Sequence, residues 1–135
     1  MKSKVVLKDE MFFMGELGGF EIPIDAEEQF GGRNRGPRPK GLVLTSLVGC
    51  TAMDVISILR KMRVEPAEFS VEAETDLTDE HPKIFKAIKI TYRFKGGNVT
   101  EDKAEKAVQL SQEKYCGVSA MLKKTVPLTY EIIIE

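Results

Sequence analysis

The sequence predicts an α+β domain, in which a mostly antiparallel sheet packs around one long buried helix, on three observations. Residues 42–59 form an almost continuous apolar run after the segment Pro37-Arg38-Pro39. On both sides of that run, short segments alternate apolar and charged residues at the period of two that is typical of half-buried strands. These segments lack the regular strand–helix alternation of a parallel sheet. The 135 residues suffice for a single domain, residues 1–135.

Three short strands are predicted in the N-terminal part, at residues 4–8, 11–17 and 20–25. Val5 and Leu7 alternate with charged neighbours, and Gly18 and Gly19 supply a turn before the third strand. The pattern predicts an antiparallel meander with one solvated face. Because Pro23 cannot donate a hydrogen bond to a neighbouring strand, the third strand is expected at a sheet edge.

The apolar run at residues 42–59 predicts a helix that is buried on nearly all sides. A helix that is apolar around its whole circumference belongs in the centre of a domain. Its eighteen residues approach the length of a membrane span, which is the alternative interpretation. A core helix is favoured because polar residues interrupt the run at Thr45, Ser46, Thr51, Asp54 and Ser57.

The C-terminal half predicts three more strands and two more helices. The strands are expected at residues 69–77, 84–95 and 128–134. On the second of them, alternate residues share one apolar face, namely Ile88, Ile90, Tyr92 and Phe94. Thr100 is the expected N-cap of an amphipathic helix that ends near residues 115–117, and a short helix follows at residues 118–124.

Composition argues against several classes of function. Twenty Lys and Arg residues balance 21 Asp and Glu residues, so the sequence shows no basic surface for nucleic acid or for a membrane. The N-terminus is charged again by Lys8, which is not typical of a signal peptide, and a cytoplasmic location is expected. No Cys or His spacing typical of zinc is present, so neither a metal nor a resident cofactor is expected. The single histidine, His81, is interpreted as a turn residue before Pro82.

The two cysteines are the candidate chemical groups, and redox cycling is the chemistry they suggest. Cys116 lies between two predicted helices, where unpaired N–H groups favour a thiolate. Cys50 lies among apolar neighbours inside a helix, which disfavours a charged sulfur unless a cation reaches it. Asp54, one helical turn further on, shares the face of Cys50 and could hold an arginine near the sulfur. On local physics alone, Cys116 is predicted to be the more acidic thiol.

A basic loop precedes the long helix. It contains Arg33, Arg35 and Arg38, and Lys40 follows it. One of these side chains could reach a thiolate or an anionic ligand, and a solvated basic loop is the alternative interpretation.

Two segments carry a recognisable pattern. The first runs from Gly31-Gly32-Arg33-Asn34-Arg35-Gly36-Pro37-Arg38-Pro39 to Gly49-Cys50-Thr51-Ala52-Met53-Asp54-Val55, and the second is Tyr115-Cys116-Gly117-Val118-Ser119. Together they resemble the OsmC/Ohr family of thiol-dependent peroxidases, most strongly its YhfA-like branch, and the resemblance covers essentially the whole chain. It implies an OsmC-like fold and an intertwined homodimer with active sites at the subunit interface. An apolar helix of this length in so short a chain agrees with a dimer.

The resemblance also implies an activity, the reduction of organic hydroperoxides to alcohols in defence against oxidative stress. Cys50 would attack the peroxide and become a sulfenic acid, and Cys116 would resolve it as a disulfide. An external dithiol, such as a lipoyl group, would then reduce the disulfide. Two alternatives are a dimeric OsmC-like protein that binds a small apolar molecule without efficient turnover, and a stress-associated structural dimer with two buried thiols.

The family implies, in addition, an arginine beside the thiolate that is held by a glutamate near the start of the central helix. The expected catalytic candidates are Arg33 and Arg35, and the expected substrate-binding residues are Arg38, Lys40 and Met53. This sequence departs from the pattern, because Lys40 and Gly41 occupy the positions where family members carry the glutamate. Lys40 itself could act on Cys50, or a nearby acid could hold the arginine, the candidates being Glu27 and Glu28.

Overall fold

The computed structural model describes residues 1–135 and contains six strands and three α-helices. The strands are β1 (Ser3–Asp9), β2 (Phe12–Leu17), β3 (Phe20–Ile24), β4 (Glu68–Leu77), β5 (Phe85–Lys95) and β6 (Leu128–Ile134). The helices are α1 (Pro39–Lys61), α2 (Glu101–Leu110) and α3 (Gly117–Leu122). The strands form two three-stranded sheets, which confirms the predicted α+β class. The chain divides into two compact units, Met1–Val43 and Leu44–Glu135.

The N-terminal unit is the predicted antiparallel meander. Its strand order is β1-β2-β3, and both pairs are antiparallel. Since β3 pairs only with β2, Pro23 lies at the sheet edge as predicted. Apolar side chains remain exposed on this sheet, among them Val5 at 54% and Leu7 at 55%.

The sheet of the C-terminal unit has the order β4-β5-β6 and combines two kinds of pairing. β4 and β5 are antiparallel, whereas β5 and β6 are parallel. A parallel pair requires a long crossover connection, and the segment that contains α2 and α3 provides it. Three of the four strand pairs in the molecule are antiparallel, in agreement with the predicted mostly antiparallel character.

The core of this unit forms on the predicted apolar face of β5. Ile88, Ile90, Tyr92 and Phe94 are all at most 1% exposed. Buried residues of α1 and α2 belong to the same cluster, among them Leu59 and Val108. Each fully buried large apolar side chain stabilises the fold by about 1.5–3 kcal/mol relative to an exposed one. The period-two pattern of β5 therefore identified the centre of the core.

The burial of α1 differs from the prediction. In the single chain only one stripe of the helix is buried, with i, i+4 spacing, at Leu47, Thr51, Val55 and Leu59. On the other faces apolar side chains are exposed, Met53 at 76%. By length and composition alone α1 could cross a membrane, but a core helix of a soluble protein meets the same test, so this is weak evidence. A broad apolar surface on α1 is thus left uncovered within one chain.

The end of α2 is the local detail that positions the second cysteine. Thr100 caps this helix as predicted, since its side chain accepts a hydrogen bond from the backbone N–H of Lys103. The helix continues beyond Leu110 as a π-helical turn, Ser111–Tyr115, so helical structure ends where the sequence predicted. α3 is shorter than predicted, at six residues, and Cys116 is its N-cap.

Candidate active site

The two cysteines, far apart in the sequence, meet in the C-terminal unit. Cys50 is half-buried in the middle of α1, and Cys116 is only 3% exposed between the π-helical turn and α3. Both are free thiols. Their Sγ atoms and a carboxylate oxygen of Asp54 all lie within 4.8 Å of one another. This cluster is the candidate site, and its donor set of two sulfurs and one oxygen could also hold a metal ion.

Local structure explains why each member of the cluster points inward. Cys50 and Asp54 are four residues apart on α1 and share one face, as predicted. Cys116 directly follows the π-helical turn, and its backbone N–H donates to the carbonyl of Ser111 at 2.7 Å. The backbone N–H of Ser119 then donates to Cys116 Sγ at 3.4 Å. The second cysteine is therefore held by backbone contacts on both sides.

The predicted acidity of Cys116 is wrong. Burial raises the pKa of the Cys116 thiol, and the hydrogen bonds from Ser119 only partly oppose this. The neighbouring Cys50 raises the pKa of Cys116 further. Burial has a larger effect on this pKa than the helix N-terminus has. Removing a charged sulfur from water costs more free energy than the few N–H groups of so short a helix recover. Cys116 is accordingly a protonated thiol in the resting protein.

A chain of buried polar side chains leads from the core to Asp54. Ser111 Oγ donates to Asp54 Oδ2 at 3.0 Å. Because a hydroxyl has one proton, Thr51 Oγ1 must donate to Ser111 across their 2.7 Å contact, and the hydroxyl of Tyr92 must donate to Thr51, also at 2.7 Å. Gln112 Nε2 donates to the hydroxyl of Tyr92 at 2.8 Å. Each hydrogen bond in this series is therefore donated in the direction of Asp54.

Tyr92 is suited to its place in this chain of donors. Burial raises the pKa of Tyr92 to about 12, although hydrogen bonds to Thr51 and Gln112 act in the opposite direction. The phenol therefore keeps its proton and donates at neutral pH. A carboxylate that accepts from a fixed donor is held in one orientation, so the chain positions Asp54 beside the two sulfurs.

Sequence reasoning missed most of this chain of hydrogen bonds. Thr51 appeared only as a polar interruption of an apolar helix, and Tyr92 only as a core residue of β5. The available signal was the i, i+3 spacing of Thr51 and Asp54 on α1, which places two polar side chains near one line of an otherwise apolar surface. Ser111 and Gln112 gave no such signal, because the π-helical turn rotates both of them into the interior.

The arginine loop of the N-terminal unit is organised around Asp25, which is 2% exposed. Asp25 Oδ2 accepts from Arg35 Nε at 2.9 Å and from the backbone N–H groups of Arg33 and Arg35, both at 3.2 Å. Arg35 also pairs with Asp9 at 2.7 Å and lies over the ring of Phe12, 4.4 Å from the ring centre. Arg33 pairs with Glu10 at 2.9 Å. Asp25 thus binds the guanidinium of Arg35 and the backbone of Arg33, whereas the Arg33 side chain pairs with Glu10.

Asp25 takes the place that was expected for Glu27 or Glu28. Glu27 instead accepts a hydrogen bond from Gln29 in the same turn. Burial raises the pKa of Asp25, but the hydrogen bonds from Arg35 and from the N–H groups of Ala26, Arg35 and Arg33 outweigh it, and the net pKa lies well below the usual range. Asp25 was not identified from the sequence because it was interpreted as the last residue of the third predicted strand, residues 20–25.

The three predicted substrate-binding residues differ in their contacts and exposure. Arg38 Nη1 donates to Asn34 Oδ1 at 2.7 Å and to the carbonyl of Gly36 at 2.8 Å, so Arg38 stabilises its own loop. Lys40 is exposed at the start of α1. Met53 is exposed on α1, three residues beyond Cys50. Their role in substrate binding stays a prediction.

The paired Asp25 leads to a testable pH dependence. Its lowered pKa means that the ionised form stabilises the fold above the unfolded pKa of about 3.9, and that this contribution is lost as the pH falls towards the folded pKa. We expect wild type to be more stable than Asp25→Asn by a constant margin above about pH 5, with the margin shrinking below about pH 4. Urea unfolding at several pH values measures this margin. The exposed Asp76→Asn is the control, and a margin that grows on acidification would contradict the assignment.

Comparisons with known proteins identify the class to which this fold and its paired thiols belong. The family described as OsmC-like protein matches residues 31–131, and the chain therefore belongs to the OsmC-like family. Among its relatives is the protein YhfA of Escherichia coli strain K12, which is 32% identical over 136 residues, 98% of each chain. The resemblance stated from the two cysteine segments is thereby confirmed.

Solved structures agree with this assignment. A hypothetical protein from Aquifex aeolicus VF5 is 33% identical, with a TM-score of 0.84 over 99% of this chain and 96% of that chain. An organic hydroperoxide resistance protein OsmC from Legionella pneumophila has a TM-score of 0.70 over 98% of this chain and 95% of that chain. Its identity is 15%, so this similarity shows the fold alone.

Proposed function

We propose that the protein is a thiol-dependent peroxidase that reduces organic hydroperoxides to alcohols. The observation that carries the proposal is the meeting of Cys50 and Cys116, two free thiols whose sulfur atoms lie within 4.8 Å of each other. An S–S bond of about 2.05 Å needs only a modest approach from that separation. Membership of the OsmC-like family and the name of the Legionella protein, an organic hydroperoxide resistance protein, support a hydroperoxide as the oxidant.

Cys50 is assigned as the attacking group because it is half-buried and accessible, whereas Cys116 is enclosed. The Cys50 thiolate attacks the terminal oxygen of the hydroperoxide, the O–O bond breaks, and the alkoxide takes a proton and leaves as an alcohol. The Cys116 sulfur then attacks the sulfenic sulfur, the S–O bond breaks, and hydroxide leaves as water. Two electrons pass from the dithiol to the peroxide, and an external dithiol, such as a lipoyl group, restores both thiols.

Among the predicted arginines, Arg35 has the most firmly held guanidinium, and its role in activating Cys50 stays a prediction from the family pattern. Asp25 and Asp9 hold its guanidinium through two charge-assisted contacts, and Nη2 is buried without a hydrogen-bond partner. That nitrogen is at the edge of pairing range with Glu10, at 4.0 Å. A fixed guanidinium with an unused donor is pre-organised to receive an anion. Arg33, in contrast, has a largely exposed side chain.

We also propose that the active form is a homodimer, since one chain leaves most of α1 uncovered. The exposed apolar side chains of α1 form the kind of surface that a second copy covers around a two-fold axis. Sedimentation equilibrium at micromolar concentration should give twice the chain mass of 15.1 kDa. A single species of monomer mass would contradict this part of the proposal.

The experiment that tests the peroxidase proposal is a titration of the reduced protein with an organic hydroperoxide. One equivalent should remove both free thiols and lower the intact mass by about 2 Da, the mass of the two hydrogens lost when a disulfide forms. The matched control is the same titration of Cys116→Ser, which should gain one oxygen instead. Two thiols that persist in wild type after excess peroxide would reject the proposal and favour a binding protein without turnover.

A further inference from the structure

We propose that the reduced protein binds one thiophilic divalent metal ion, Zn²⁺ in the cell, through Cys50, Asp54 and Cys116. The site uses the sulfurs of the proposed peroxidase, but it does not depend on that function, because the metal would bind the resting dithiol without peroxide. Sequence spacing did not reveal it, since Cys116 reaches the other two ligands only through the tertiary fold.

The geometry of the cluster fits a zinc ion with small adjustments. Zinc binds sulfur at about 2.3 Å and carboxylate oxygen at about 2.0–2.2 Å, so tetrahedral ligand atoms lie about 3.5–3.8 Å apart. The three donor atoms here lie within 4.8 Å of one another, so each pair has to close by about 1.3 Å at most. Two sulfurs and one carboxylate form a donor set that favours zinc over magnesium or calcium.

The surroundings of the cluster already orient the ligands. Ser111 donates to Asp54 Oδ2, which fixes the orientation of the carboxylate beside the two sulfurs. The N–H of Ser119 donates to Cys116 Sγ, a contact compatible with a thiolate ligand. Outer contacts of this kind tune metal affinity, and here buried hydrogen bonds through Thr51 and Tyr92 support Ser111.

Charge and access also favour a cation. Metal binding would release the thiol protons to solvent, so that two thiolates and a carboxylate would surround the cation. The groups that donate to Asp54 and Cys116, from Ser111 and Ser119, carry no positive charge that would oppose it. Cys50 is half-buried in the single chain, so the cluster is not fully enclosed. Three protein ligands with water as the fourth are a known arrangement for zinc. A bound metal would occupy both sulfurs and thereby prevent their oxidation to a disulfide.

The test titrates Co²⁺, a spectroscopic probe for zinc sites, into untagged reduced protein freed of reductant under anaerobic conditions. We expect one equivalent per chain, visible bands of tetrahedral cobalt and near-ultraviolet sulfur-to-cobalt charge transfer, all abolished when Zn²⁺ is added. Cys50→Ser and Cys116→Ser should each weaken binding by at least about 100-fold, and Asp54→Asn by about 10–100-fold. The matched controls His81→Gln and Asp76→Asn should bind as wild type does.

A second measurement keeps the result clear if a cysteine variant folds poorly. In wild type, Zn²⁺ should protect the accessible Cys50 thiol from a maleimide, with no peroxide present. Absence of stoichiometric binding to wild type, or an affinity that is unchanged in Cys116→Ser or in Asp54→Asn, would overturn the proposal. Since no step uses peroxide, a failed metal test leaves the peroxidase proposal standing, and a failed peroxide titration leaves the metal site standing.

Discussion

Cys50→Ser is expected to abolish peroxide turnover, with a fall of at least about 10³-fold in the rate of hydroperoxide consumption. A serine hydroxyl stays protonated at neutral pH and cannot form a sulfenic acid, so the first chemical step is lost. Cys116→Ser should behave differently. Its Cys50 can still react once, but without the resolving sulfur the sulfenic acid should accumulate and turnover should stop after about one equivalent.

The two variants are matched controls for each other, because each carries the same Cys-to-Ser change at one member of the pair. Turnover is measured as consumption of an organic hydroperoxide with a lipoyl dithiol as reductant, and the sulfenic acid is trapped chemically and detected by mass. If Cys50→Ser retained turnover while Cys116→Ser lost it, the assigned roles would be reversed. If each variant consumed about one equivalent of hydroperoxide and then stopped, the two cysteines could not be assigned distinct roles.

Thr51→Val is expected to lower the free energy of unfolding by about 2–4 kcal/mol. Valine has nearly the same shape, so little packing is lost, but the fully buried hydroxyl that links Tyr92 to Ser111 disappears. Each polar group left unpaired in the interior costs about 1–3 kcal/mol. The Tyr92 hydroxyl would lose the acceptor of its proton and the Ser111 hydroxyl would lose its donor, while their contacts with Gln112 and Asp54 remain.

Urea unfolding measures this effect, with Thr129→Val as the control. Thr129 is exposed on β6, and its replacement should change the free energy of unfolding by no more than about 0.5 kcal/mol. An equal, small effect in both variants would show that the buried hydrogen bonds through Thr51 contribute nothing to stability.

The strands and the helix cap could be predicted from the sequence because both depend on local geometry. Alternation along β5 identified the core face, since successive side chains of a strand point to opposite sides. Thr100 was recognisable as an N-cap because its side chain satisfies a backbone N–H three residues away. The two cysteine segments, likewise local, were enough to indicate the OsmC-like family.

Other features of the site depended on contacts between distant parts of the chain. Asp25 became the partner of Arg35 because the loop after β3 folds back over the end of that strand. The π-helical turn that buries Ser111 and Gln112 leaves no local signature, because its residues have ordinary helical propensities. Neither feature could be read from periodicity or spacing.

The sequence by itself determined which segments become strands and helices, which face of β5 is buried, and which two residues are the candidates for thiol chemistry. The tertiary structure alone decided that Cys50, Asp54 and Cys116 converge, that Thr51 and Tyr92 support the carboxylate, and that the pKa of Cys116 is raised. The physical reason is the range of the forces involved. Backbone periodicity and capping act over a few residues, whereas desolvation and hydrogen bonding in the interior depend on groups that only the complete fold brings together.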